Sequence, residues 1–91
     1  MELVFNKVQS TWVAEFEATA DFNLHLEGVK RGDIMVYQRG STTGQYAKVN
    51  DVKADSSYTT YDCDYTALVY PKYIKVSCRT QPSMGVVTFA Q

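Results

Sequence analysis

Trp12-Val-Ala-Glu-Phe-Glu-Ala-Thr-Ala-Asp-Phe-Asn-Leu-His-Leu-Glu27 is the stretch that decides the fold class. Trp12, Ala14, Phe16 and Ala18 alternate with Val13, Glu15, Glu17 and Thr19. In an extended chain this puts the apolar set on one face and the glutamates on the other. A helix over the same residues would carry the glutamates into the apolar stripe. The alternation pauses at Thr19-Ala20-Asp21 and resumes with Phe22, Leu24 and Leu26 inward and Asn23, His25 and Glu27 outward. The pause suits a bend that sends one long strand into an opposing sheet, as at sandwich corners.

The same period recurs along the chain. In Tyr73-Ile-Lys-Val-Ser-Cys-Arg79, Ile74, Val76 and Cys78 share a face. Alternation and β-propensity together predict strands at 2–8, 11–19, 21–27, 34–39, 45–52, 58–67, 73–79 and 84–90. Gly28, Gly32, Gly40, Gly44 and Gly85 are read as turn positions between these runs. Runs of helical period are missing, which excludes βαβ units. The prediction is all-β: a single antiparallel β-sandwich of about 7–8 strands over residues 1–91, wired either as a jelly roll or in an immunoglobulin-like order. Trp12 and the inward rows should anchor its core.

Composition narrows the function. Ninety-one residues suffice for one domain, and 45% hydrophobic with 21% charged residues is ordinary for a globular chain. Nine basic against ten acidic residues leave a net charge of −1, so no basic field is available to hold nucleic acid or anionic lipid. No secretory leader and no bilayer-length apolar run is visible, so the expectation is synthesis in the cytoplasm without a membrane partner. Cys63 and Cys78 are then expected to be reduced. Two cysteines and one histidine do not complete a closed zinc site, and no cofactor is expected.

Candidate chemical groups each have a plain structural reading. His25, the sole histidine, falls on a polar strand face with no nucleophile placed beside it by spacing. Asp62 and Asp64, with Asp51 and Asp55 upstream, could suggest calcium, but no glycine-bearing calcium loop surrounds them. On a strand they mark a wet face, with Tyr61, Cys63 and Tyr65 buried opposite. Tyr61-Asp-Cys63 imitates the Tyr-x-Cys of immunoglobulin domains, but the only tryptophan before it, Trp12, has no cysteine ahead of it. Arg31-Gly-Asp33 spells an integrin-binding tripeptide and is equally ordinary turn chemistry. Five of the seven tyrosines lie between Tyr58 and Tyr73. Tyr58, Tyr70 and Tyr73 are the candidates for a contact surface, since tyrosine joins large area to low rotamer cost.

No residue set for an enzyme emerges. A structural protein of an assembly and a carbohydrate-binding module built on an aromatic platform of Trp12 and tyrosines are the two classes that fit. Residues 12–27, followed by Gly-Asp-Ile-Met-Val-Tyr (32–37), resemble small all-β virion proteins of tailed bacteriophages. So does Pro-Lys-Tyr-Ile-Lys-Val-Ser (71–77) leading into Gln-Pro-Ser-Met-Gly-Val-Val-Thr-Phe (81–89). Within that group the chain looks most like an auxiliary, or decoration, capsid protein of the crAss-like phages. The resemblance lies in strand pattern and length, covers nearly the whole chain and assigns no residue a role. It implies a non-enzymatic protein located in the virion, present in many copies and docked on other virion proteins, the major capsid protein first among them.

Overall fold

The computed structural model describes residues 1–30, 33–51, 59–66 and 69–90. Its strands are β1 (Asn6–Val8), β2 (Thr11–Ala18), β3 (Phe22–Glu27), β4 (Ile34–Arg39), β5 (Ala47–Asp51), β6 (Thr60–Tyr65), β7 (Lys72–Cys78) and β8 (Met84–Phe89). They form a five-stranded sheet, β1-β2-β7-β4-β5, and a three-stranded sheet, β6-β3-β8, in which all pairings are antiparallel. The bend expected at 19–21 is real: β2 belongs to the larger sheet and β3 to the smaller.

The pairing decides the wiring. The second strand pairs with the seventh, the third with the sixth and the fourth with the fifth. The first segment meets the eighth through a bridge between Glu2 and Val86. A hairpin of strands rolled over itself has this order, so the sandwich is a jelly roll and not immunoglobulin-like. The strand expected at 2–8 is therefore split. Residues 1–3 lie on β8 in one sheet, whereas β1 lies on β2 in the other, because the chain crosses between sheets and cannot stay in one ladder.

The alternation becomes the core. Ala14, Phe16 and Ala18 of β2, Ile74, Val76 and Cys78 of β7, and Ile34 and Val36 of β4 are buried. Facing them are Phe22, Leu24 and Leu26 of β3, Tyr61 and Tyr65 of β6, and Val87 of β8. Phe22 stacks on Tyr65 at 5.1 Å and meets Phe16 edge-on at 5.3 Å. Such aromatic pairs add about 0.5–1.5 kcal/mol beyond area burial. The buried hydroxyls of Tyr61 and Tyr65 bond each other at 2.9 Å.

Two expectations fail here. Trp12 shares the inward parity of its strand but is only half-buried and lies outside the core cluster. It is the first inward position of β2, at the rim where the sheet ends, and the row is buried only from Ala14 onward. Gly85 is not a turn residue. It sits within β8, and a Cβ there would stand 2.8 Å from Phe5 Cε2, so the missing side chain makes room for a close approach. Gly28 does turn the chain, at φ 75°, a conformation that glycine reaches without strain.

Candidate functional site

The outward residues of the larger sheet form a plateau of tyrosines and paired charges. Register places Glu15, Lys75 and Tyr37 side by side across β2, β7 and β4. Glu17, Tyr73 and Arg39 form the next row. Tyr46, just before β5, lies over both. Its hydroxyl donates to Glu15 Oε2 at 2.9 Å, and its ring centroid is 4.2 Å from the Arg39 guanidinium and 4.6 Å from Lys75 Nζ. Lys75 Nζ also stands 4.7 Å from the Tyr37 ring. Arg39 in turn donates to the Gly44 carbonyl at 3.1 Å, which ties the 40–46 connection to the plateau.

The electrostatics follow from these contacts. Burial first, then the Glu15 carboxylate, pushes the Tyr46 hydroxyl above its ordinary range. The hydrogen bond to Glu17 does the same for Tyr73. Register also sets Lys48 of β5 beside Tyr37 on this face, so the plateau carries three cations against two carboxylates. The Arg39–Glu15 ion pair, at 4.0 Å, contributes little to stability, about 0–1 kcal/mol. What these charged groups do is hold three tyrosine rings in place on the outer face of the larger sheet.

The opposite face of the sandwich is acidic. Asn23 Nδ2 donates to Asp62 Oδ1 at 2.7 Å and to Asp64 Oδ1 at 2.9 Å. His25 Nδ1 is 2.7 Å from Asp62 Oδ2, and Nε2 is 3.3 Å from Glu27 Oε2. Asp62 first, then Glu27, raises the His25 pKa above its ordinary 6.5, which favours the imidazolium. With a carboxylate on each ring nitrogen, the imidazole has no lone pair turned toward a substrate. Among the described residues, no group of three His, Cys, Asp or Glu side chains is arranged to hold a metal ion.

The three contact candidates part company. Tyr73 lies on the plateau. Tyr70 is half-buried, packs against the core and donates its hydroxyl to Asp21. Tyr58 lies outside the described residues, as do Arg31, Gly32 and Asp55. Asp62 and Asp64 are exposed and Tyr61 and Tyr65 buried, as alternation implied. Cys63 and Cys78 are unpaired, on strands of different sheets, and burial pushes the Cys78 thiol up to about 12.

Tyr37 and Tyr46 were not singled out by sequence. Tyr37 has a signal: Ile34 and Val36 are inward, so Tyr37 must be outward. Tyr46 has none, because it precedes its strand and reaches the plateau through the 40–46 connection. Comparison with protein-family models, curated proteins and solved structures finds no match to this chain.

Proposed function

We propose that this protein is a non-enzymatic structural component of a phage virion, an auxiliary protein docked in many copies on the major capsid protein through the outer face of its larger sheet. The docking surface rests on one observation: Tyr37, Tyr46 and Tyr73 are held together on the outer face of the larger sheet by Lys75, Arg39, Glu15 and Glu17. Tyrosine and arginine are enriched among the residues that dominate the energetics of protein interfaces. The virion setting rests on the resemblance carried by 12–27, 32–37, 71–77 and 81–89. Jelly rolls host capsid and lectin domains alike, so the wiring agrees with either class and selects neither.

A carbohydrate-binding module is the alternative, and the same plateau favours it by setting tyrosine rings beside carboxylates. A sugar stacks on a bare ring face. Here Lys75 and Arg39 already lie over the Tyr37 and Tyr46 rings, which favours a protein partner.

Purified virions decide between the readings. The protein should copurify at a copy number comparable to the major capsid protein. A Tyr37→Ala/Tyr73→Ala chain should keep its far-ultraviolet spectrum yet be lost from the particle. Virions that lack the protein, together with soluble oligosaccharides that shift its plateau resonances, would replace the first reading with the second.

A further inference from the structure

The segment leading into β2 is bound to the rest of the fold as a separate strand would be. The Leu3 amide donates to the Gly85 carbonyl at 2.9 Å, and the Val87 amide to the Met1 carbonyl at 2.8 Å. Phe5 fills the space that Gly85 leaves, with Leu26 Cδ2 also 3.2 Å from the position of the missing Cβ. Leu3 and Phe5 both pack against the core. A short backbone ladder with two apolar anchors is how strand addition works.

The rest of the segment is loosely held. Val4 is 74% exposed and Val8 53%, and all three residues of β1 are exposed. An open groove of about 450 Å³ runs between the segment and Val13 and Phe16 of β2. A two-residue turn, Gln9-Ser10, folds the segment back onto its own β2, where Thr11 Oγ1 donates to the Val8 carbonyl at 3.1 Å. Gln9 stands there at φ 56°, a left-handed conformation that costs any residue with a Cβ.

We infer that segment 1–8 is an exchangeable strand, which also docks on β8 of a second copy of this chain while that copy's segment docks in return. Opening the Gln9-Ser10 turn joins β1 to β2 in one extended strand with a bulge at 9–10, which keeps Val8 on the same face as Thr11, and it removes the left-handed residue from both chains. The ladder to β8, the Phe5 seat at Gly85 and the β1–β2 pairing are all rebuilt between the copies. A strained, short hinge is the circumstance that drives such exchange. A second copy is the occupant because the site at Gly85 is complementary to this segment's own Leu3 and Phe5. Each chain gives and takes the same segment, so the pair closes on itself. The inference is independent of the capsid reading, since it concerns the chain alone in solution.

Glu2 and Val86 face each other, with the hydrogen bonds made by their neighbours, the arrangement in which cross-strand side chains are closest. A Glu2→Cys/Val86→Cys chain carrying Cys63→Ala is refolded from urea at rising protein concentration, oxidised and run on a non-reducing gel. Exchange gives disulfide-linked dimers whose share rises with concentration. Bridges formed only within single chains at every concentration overturn it. Light scattering supplies a second measurement: deleting Gln9 alone leaves too short a turn for the closed form while keeping Val8 and Thr11 on one face of a joined strand, and should make the chain an obligate dimer. Gln9→Gly should lower the dimer association constant roughly 25-fold, about fivefold per chain from the strain relieved in the closed form. A deletion variant that folds as a monomer also overturns the inference. If it does not fold, the gel result on the full chain decides alone.

Discussion

His25 is held between two carboxylates on the acidic face, and its titration reports that face directly because it is the sole histidine. Its pKa is raised above 6.5, by Asp62 first and Glu27 second, so its contribution to stability is complete below about pH 6.5 and is lost as pH rises through the folded-state value. Asp62 is lowered from 3.8, by Asn23 first and His25 second, so its contribution is present above that value and is lost as pH falls through the lowered one. The network therefore contributes most between about pH 4 and 6.5. Histidine proton resonances should titrate with a midpoint above 6.5, and Asp62→Asn should bring the midpoint down; an unmoved midpoint would show that Asp62 is not the partner. Gln9→Gly tests another single residue. At φ 56° the change should stabilise the monomer by about 1 kcal/mol, or roughly 4–8 °C in melting temperature, measured in dilute solution.

Among the elements, β3 has the greatest structural weight. It is the central strand of the smaller sheet and buries Phe22, Leu24 and Leu26 against the larger one. Leu24 is fully buried, so Leu24→Ala should cost about 2–5 kcal/mol in urea unfolding, while removing an exposed residue of β1 should cost far less. In β8 the weak point is Gly85. Gly85→Val would drive side-chain atoms into Phe5 and Leu26 and should cost about 1–3 kcal/mol, with faster hydrogen exchange at the Leu3 and Val87 amides as the signature of a displaced leading segment. The boundaries of most strands were legible from alternation to within a residue or two, because alternation is imposed by burial on one face. The split of 2–8 was not. Val4 and Phe5 continue the pattern of their neighbours while the chain changes sheet.

The whole molecule is a rolled hairpin of strands in which partners lie far apart in sequence, second with seventh and third with sixth. Closing such pairs costs loop entropy before any contact rewards it, so refolding followed by Trp12 fluorescence should take milliseconds to seconds; microsecond refolding would contradict the wiring. Rolling also produces the two unlike outer faces, a tyrosine plateau with lysines and an arginine, and an acidic network. The candidate site was only partly legible for this reason. Tyr73 could be chosen from its strand. The joining of Tyr37, Tyr46 and Tyr73 around Lys75 and Arg39 depends on β4 lying beside β7. Likewise, the spacing of Asp62 and Asp64 told their face, but not that Asn23 and His25 would meet them.

Alternation of period two is a local property, since it records for each residue only whether its side chain meets solvent or protein. The residues by themselves therefore determined that this chain is all-β, that it forms two packed layers, that Phe16, Phe22, Leu24, Leu26, Ile74 and Val76 point inward, and that the strand bends after Ala18. Jelly-roll and immunoglobulin-like orders satisfy that pattern equally well, because both bury one face of every strand. Only the tertiary structure decided between them. The choice rests on which edges pair and on how particular side chains interdigitate across the sandwich, such as Phe5 over Gly85 and Phe22 on Tyr65. Those interactions join residues tens of positions apart, and no window along the chain contains both partners.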